Sequence, residues 1–202
     1  MQIRLTTKED YKETEFLTRE AFWNVYGPGC SEHFVLHQLR KADVSLEELD
    51  YVAEEKGQLV GNIVYTKMFH DGKRDDTVIC FGPVGVLPQY QKKGIGAALI
   101  ETSLNKAKEL GYKAVMITGN PQYYKNFGFF PAADFGVYLK GMSPEEPADF
   151  FMIKELEPGY MKLHQGEYSF DEAYETDPEQ LEEFDKGFPE KTKREPRPDD
   201  LF

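Results

Sequence analysis

A chain of 202 residues carrying a formal net charge of −12 is long enough to bury the core of one domain and too acidic to offer nucleic acid a basic face. Its start lacks the basic, apolar and small-residue order of a secretory signal, and no apolar run approaches about 18 residues, so a soluble, cytoplasmic protein without a membrane partner is expected. The two cysteines, Cys30 in a Gly-Pro-Gly turn and Cys80 in an apolar run, fit free thiols in a reducing compartment, and neither has a histidine at nucleophile-like spacing.

Gln2 to Leu5 alternates like a short strand, and Thr7-x-x-Asp10 reads as a capping box opening a helix through about Trp23, with Tyr11, Leu17 and Ala21 near one face. Gly27-Pro28-Gly29 breaks that helix, and Ser31 can cap a second one running to about Ala42. His33 and His37 stand four apart on it, the spacing of a metal pair. No glutamate follows His33 directly and no third ligand presents itself, so a place on a helix face or substrate groove is expected and a metal is not.

Leu49 to Glu54, Leu59 to Phe69 and Thr77 to Val86 read as strands of an antiparallel meander, joined at the turn-rich Glu55-Lys56-Gly57 and His70-Asp71-Gly72. A helix beginning near Gly94 turns Ile95, Ala98, Leu99 and Leu110 to one side and Glu101, Asn105 and Lys108 to the other, and Gly111 stops it. Lys113 to Thr118 is a buried-type strand, and the strand-helix-strand crossover puts it parallel to the strand ending at Val86. Pro121 suits the first turn of a short helix capped by Asn120. Phe150 to Leu156 and Leu163 to Phe170 complete the strands.

From Glu167 to Phe202 thirteen acids face five bases. This excess either solvates the surface or attracts a cationic amine. The segment 171–202 reads as an acidic, proline-punctuated extension of a domain spanning 1–170, partly packed through its Tyr and Phe residues and mobile from Lys191 to Phe202.

The stretch Val84 to Gly96 constrains function most. An apolar strand breaks at Pro88, passes through a basic turn, Gln91-Lys92-Lys93-Gly94-Ile95-Gly96, and enters the helical pattern from Ala97. Gly94 and Gly96 leave the backbone bare, so consecutive N–H groups can meet an anion where the helix dipole already favours one. A dinucleotide fingerprint would need Gly or Ala where Leu99 stands, and a Walker loop would need Gly-Lys-Ser/Thr. What remains is Gln-x-x-Gly-x-Gly after Val-x-Val-x-Pro, unless the turn is an ordinary strand-to-helix loop.

This run resembles the acetyl-CoA pyrophosphate loop of the GNAT superfamily of N-acyltransferases. That superfamily carries a tyrosine four residues before a Gly-Phe pair, as Tyr124 stands before Gly128-Phe129. The fuller Gly119-Asn120-Pro121-x-x-Tyr124-x-x-Phe127-Gly128-Phe129 is similar to the motif of a bacterial subgroup of largely uncharacterised acetyltransferases. The resemblance is good over about Val78 to Pro131, holds only in element order over residues 1 to 77, and is loose beyond Pro131.

The resemblance implies an α/β (α+β) fold: a mixed, mostly antiparallel sheet with flanking helices and a splayed parallel strand pair that binds acetyl-CoA. It assigns Val84, Gly85 and Val86 to pair with the pantetheine arm, the Val86 N–H to the tetrahedral oxyanion, and Gln91, Lys92, Lys93, Gly94, Ile95, Gly96 and Ala97 to the pyrophosphate. Asn120 joins the cofactor contacts, and Tyr124 is the expected proton donor to the departing thiolate. The implied reaction is transfer of an acetyl group from acetyl-CoA to the primary amine of a small molecule or peptide, directly in a ternary complex and without a metal.

The attacking amine must be neutral, yet Thr77 to Val84 carries no Asp or Glu to serve as base. Asp75, Asp76, His70 or a residue of the N-terminal helices can substitute through water, or the substrate has a low amine pKa. The rival readings are a non-catalytic acyl-CoA sensing module, and a transferase for another acyl group or an alcohol. A homodimer through the aromatic-rich C-terminal region is compatible with either.

Overall fold

The computed structural model describes residues 1–145 and 148–197. In chain order its elements are β1 (Gln2–Leu5), α1 (Tyr11–Phe22), α2 (Glu32–Leu39), β2 (Tyr51–Glu55), β3 (Gln58–His70), β4 (Lys73–Val86), α3 (Ile95–Glu109), β5 (Ala114–Thr118), α4 (Pro121–Tyr124), β6 (Phe130–Pro131), β7 (Val137–Leu139), β8 (Phe151–Glu155), β9 (Gly166–Ser169) and α5 (Pro178–Asp185). No helix among the described residues is long and apolar enough to cross a membrane. The chain divides into two compact units, Met1–Val64 with Pro83–Leu99 and the tail from Glu172, and Tyr65–Gly82 with Ile100–Asp171.

The long strands follow from their turns. Lys56 and Gly57 have φ of 54° and 80°, and Asp71 and Gly72 have 49° and 73°. Two successive positive φ values make the mirror-image turn whose twist suits an antiparallel hairpin, so β2-β3 and β3-β4 fold back tightly. The second turn lets β4 begin at Lys73, four residues before the expected Thr77.

In the first unit the strand order is β1-β2-β3-β4, with β1 antiparallel to β2 and β2 to β3. The capping box forms: Asp10 Oδ2 accepts from the Thr7 N–H at 2.8 Å and from Thr7 Oγ1 at 2.9 Å. It opens a short 3-10 turn, Lys8–Asp10, that runs into α1. Leu17 and Ala21 are buried as expected, whereas Tyr11 is only partly covered. Ser31 does not cap α2 with its side chain; its own N–H donates to Glu32 Oε2 at 3.0 Å, and the helix stops at Leu39.

The tail is held by a cation. Arg19, 1% exposed, donates through Nε and Nη2 to both oxygens of Asp185 at 2.6 and 3.0 Å, and through Nη1 to the Pro189 carbonyl at 3.0 Å. Its guanidinium lies 4.2 Å from the Trp23 ring centroid. Beyond it Lys191 pairs with Glu20 at 2.9 Å, the Thr192 carbonyl accepts from Trp23 and Asn24, and the Arg194 N–H donates to Asn24 Oδ1. The segment expected to be mobile thus makes these contacts at Lys191, Thr192 and Arg194, and its last five residues, 198–202, lie outside the described residues.

The second unit has the order β3-β4-β5-β8-β6, with β9 against β3 and β7 parallel to β9. β4 and β5 are parallel, as the crossover requires, pairing Val78 with Ala114, Ile79 with Val115 and Cys80 with Met116. β5 and β8 are antiparallel over five pairs, Ala114–Glu155 to Thr118–Phe151. Within α3, Ile100, Leu104 and Ala107 are buried, but Leu110 falls past the helix end and is 44% exposed, against expectation.

His33 is fully enclosed between Phe184 and Phe188, with Nε2 at 3.0 Å from Asp185 Oδ1. Burial lowers its pKa from 6.5 to about 4 despite that carboxylate. Unfolded protein therefore takes up a proton at this site as pH falls through about 6.5, while folded protein does so only near 4. Stability present above 6.5 should be lost across that window, on the order of 2–3 kcal/mol. Urea unfolding at steps from pH 7 to 4 should show the loss in wild type and a shallower slope in His33→Gln; parallel curves would refute it.

Candidate active site

The first unit carries the basic turn. β4 delivers its last rung as the Leu87 N–H donates to Val60 O at 3.0 Å, and Pro88–Tyr90 then form a 3-10 turn. Gln91 reaches back, its Nε2 donating to Val86 O at 3.1 Å, which clamps the turn to the end of the strand. Lys92 takes φ of 58° and Gly94 82°, and a Cβ built on Gly94 would meet nothing within 4 Å. The first intrahelical bond of α3 is Ala98 N–H to Gly94 O at 2.9 Å. The N–H groups of Ile95, Gly96 and Ala97 come before it and have no carbonyl of their own helix to meet.

These donors suit an anion, and the two lysines differ in how they serve it. Lys93 Nζ donates to Gln89 O at 2.8 Å and lies 5.1 Å from the Tyr90 ring centroid, so it is turned back on the loop. Lys92 is exposed, and among the described residues no carboxylate pairs with it. A pyrophosphate fits this donor set: backbone N–H groups, one open glycine and nearby cations.

Two strand glycines support the turn. A Cβ at Gly61 would stand 3.0 Å from Leu99 Cδ1, 3.1 Å from Ile95 Cγ2 and 3.2 Å from Gly85 O. A Cβ at Gly85 would stand 3.0 Å from Asn62 Oδ1 and 3.4 Å from Leu17 Cδ2. Gly61 thus lets the first turn of α3 seat against the sheet, and Gly85 lets α1 close on the segment Val84–Val86. Gly61 was missed in the sequence, although a lone glycine inside an apolar strand signals such a close approach.

Val84, Gly85 and Val86 lie beyond the last β4-β5 rung at Cys80. Between them and that rung stand Gly82, with φ of 141°, and Pro83, which has no N–H to offer.

The second unit carries Tyr124. Asn120 caps α4, its Oδ1 accepting from the Gln122 N–H at 2.9 Å, as its position predicts. The Tyr124 ring, partly buried, lies among Phe81, Tyr123, Phe127 and Phe129 at centroid separations of 5.1–6.4 Å. A Cβ on Gly119 would come within 2.5 Å of Tyr124 Cε2, so that glycine is what lets the ring lie flat on the chain. The neighbouring Tyr123 is 41% exposed, and burial of its inner part raises its pKa.

The other titratable groups are engaged elsewhere. Asp75 Oδ1 accepts from the Thr77 N–H, Thr77 Oγ1 and the Val78 N–H. Asp76 pairs with Lys67, and His70 Nε2 lies 2.8 Å from Gln165 O while its ring stacks on Tyr168. His33 and His37 turn to separate carboxylates, Asp185 and Glu15, the latter at 2.7 Å. Cys80 is buried, and burial pushes the Cys30 thiol well above its usual range.

A model of the Acetyltransferase (GNAT) family matches residues 13–129, a span holding both the basic turn and Tyr124. The uncharacterized N-acetyltransferase YjhQ of Escherichia coli K12 is 32% identical over 164 residues, 80% of this chain and 87% of that protein. YhbS of the same strain, also an uncharacterized N-acetyltransferase, is 28% identical over 133 residues, 66% of this chain and 75% of the relative. Among solved structures, E. coli YhbS in complex with CoA superposes with a TM-score of 0.76 at 24% identity, covering 86% of this chain and 91% of its own. A Brucella melitensis GNAT acetyltransferase in complex with acetyl-CoA gives 0.69 at 27% identity, covering 86% and 97%. The open mixed sheet with its flanking helices is the fold of these proteins, and the chain belongs to the GNAT acetyltransferase family.

Proposed function

We propose that the protein is an acetyl-CoA-dependent N-acetyltransferase that moves the acetyl group directly to a primary amine within a ternary complex. The observation that carries this reading is the start of α3, where the N–H groups of Ile95, Gly96 and Ala97 follow the open Gly94. Relatives solved with CoA and with acetyl-CoA support the identity of the anion. Gln91, Lys92, Lys93, Gly94, Ile95, Gly96 and Ala97 hold the pyrophosphate, the edge of Val84, Gly85 and Val86 pairs with pantetheine, and Asn120 adds a contact.

In the transfer the amine nitrogen forms the C–N bond and the C–S bond breaks, with its electron pair going to sulfur. The Val86 N–H steadies the tetrahedral oxyanion. Tyr124 gives its phenolic proton to the leaving thiolate, and the amine proton leaves through water. A thiol titrates near 8.5 and a phenol near 10, so complete transfer is uphill by roughly 2 kcal/mol. A charge-assisted hydrogen bond offsets most of that. Burial holds the Cys30 thiol above its usual range and encloses Cys80 completely, which disfavours an acyl-enzyme.

The deciding experiment follows release of CoA thiol from acetyl-CoA against a panel of amino acids, N-terminal peptides, polyamines and lysine-containing peptides. Turnover of an amine supports the proposal. Tight acetyl-CoA binding with no turnover of any acceptor supports a sensing module instead.

Two substitutions dissect the roles. Gly94→Asp puts bulk and negative charge beside the pyrophosphate and should weaken acetyl-CoA binding at least 100-fold by calorimetry, with the circular dichroism unchanged; wild-type affinity would remove this turn from the site. Tyr124→Phe keeps the ring and should lower kcat roughly 10- to 1,000-fold while leaving acetyl-CoA affinity within about twofold. An unchanged kcat, under conditions where chemistry limits turnover, would take Tyr124 out of the mechanism.

A further inference from the structure

Tyr124 sits on a piece of chain too short to hold its own shape. α4 is four residues, Pro121–Tyr124, followed by one 3-10 turn, Lys125–Phe127. Helical segments of this length are far below what nucleation allows in water, so their ends must be fixed from outside. At the N-terminal end the Asn120 cap does this. At the C-terminal end Gly128 turns left-handed with φ of 81°, its N–H bonding to Lys125 O at 3.1 Å, while the Phe129 N–H reaches Tyr124 O only at 3.4 Å.

The strong contact at that end comes from another strand. Lys154 lies in β8, opposite Val115 of β5, and its Nζ donates to Phe127 O at 2.6 Å. Among the described residues no carboxylate lies within salt-bridge distance of it. Burial lowers its pKa, and the Lys108 cation adds to this, so the ammonium is kept at an electrostatic disadvantage and spends its donor on one carbonyl. A Cβ on Gly128 would fall 2.8 Å from Lys154 Nζ, so the glycine keeps the approach open. A positive charge also complements the carbonyl end of a helical turn.

We propose that Lys154 is a positioning residue for Tyr124: by holding the Phe127 carbonyl it fixes the turn Pro121–Phe127, and with it the place of the phenol. This rests on the catalytic reading of Tyr124 given above. The ring is boxed by Gly119, Phe81 and Phe129, so it cannot compensate by rotating, and a shift of the turn carries the hydroxyl with it. A displacement of about 1 Å at a reacting group can cost on the order of 100-fold in rate.

The test is a double-mutant cycle with Lys154→Met and Tyr124→Phe, followed by CoA thiol release with acetyl-CoA and the fastest amine of the panel, and with water as acceptor. Lys154→Met should lower kcat about 5- to 50-fold with KM for acetyl-CoA changed less than about twofold, and Lys154→Arg should restore most of it. In the Tyr124→Phe background, Lys154→Met should cost less than about twofold, because the residue it positions is already disarmed. Hydrogen exchange, which needs no turnover, should be faster at the Gly128 and Phe129 amides in Lys154→Met. Equal losses in both backgrounds, wild-type kcat in Lys154→Met, or unchanged exchange would overturn the assignment of Lys154 while Tyr124→Phe remained impaired. An unimpaired Tyr124→Phe would instead overturn the Tyr124 reading and this one with it.

Discussion

The seat of the first turn of α3 on Gly61 is the constraint on which the proposed anion-binding turn depends. Ile95 and Leu99 are 4% and 0% exposed, and a Cβ on Gly61 would press on them at 3.1 and 3.0 Å. Burying two such side chains is worth about 1.5–3 kcal/mol each, enough to hold a helix N-terminus against the sheet without help from the loop before it. Because that turn is anchored by its apolar residues, Gly94 ahead of it need not bury anything. Gly94 is left with open space, and the N–H groups at the helix start have no internal partner. Gln91 completes the arrangement from the strand side by bonding Val86 O. The loop is thus short, fixed at both ends and bare in the middle, which is the combination a backbone anion site requires.

The same division between anchoring and bare groups recurs around Tyr124. Aromatic rings and the Gly119 gap set where the side chain lies, while cap and cation set where its backbone lies. The β4-β5 ladder, only three rungs long, is stopped by Gly82 and Pro83. Beyond it Val84 to Val86 continue as strand, and such a strand end is the kind of edge to which an extended amide-bearing arm can add.

Local features were legible in the sequence, and long-range electrostatics were not. The hairpin turns, the Asn120 cap, the Thr7 capping box and the glycine turn are each written within a few residues, and they stand where the pattern puts them. Ser31 had the right neighbours for a cap, but its side chain makes no capping bond, and its N–H donates to Glu32. Leu110 had the right spacing, but the helix ended before it. The anchoring of the tail could not be read, because Arg19 and Asp185 lie 166 positions apart and each alone looks like a solvated charge. The pairing of Lys154 with a main-chain oxygen was invisible for a related reason: carbonyl acceptors leave no trace in composition.

The acceptor side of the reaction is governed by proton bookkeeping. Thr77 to Val84 offers no carboxylate, Asp75 already accepts three hydrogen bonds, and Asp76 is paired with Lys67. An alkyl amine titrating near 10.4 is neutral in about one molecule per thousand at pH 7.4, a handicap of roughly 4 kcal/mol that a base would have to remove. An α-amino group titrating near 7.7–8.0 is neutral in roughly a fifth to a third of molecules, a handicap below about 1 kcal/mol. If Tyr124 supplies the leaving-group proton and water takes the other, as proposed, the chemistry runs with least resistance on α-amines, such as those of amino acids and peptide N-termini. A side-chain or polyamine nitrogen would need a local field to depress its pKa first. An acidic tail does the opposite, since carboxylates near an ammonium hold the proton on. Whatever attraction those acids offer a cationic acceptor at long range is therefore useful only if they stand away from the reacting nitrogen. The charge of Asp185, the residue by which the tail is anchored, is already taken up by Arg19.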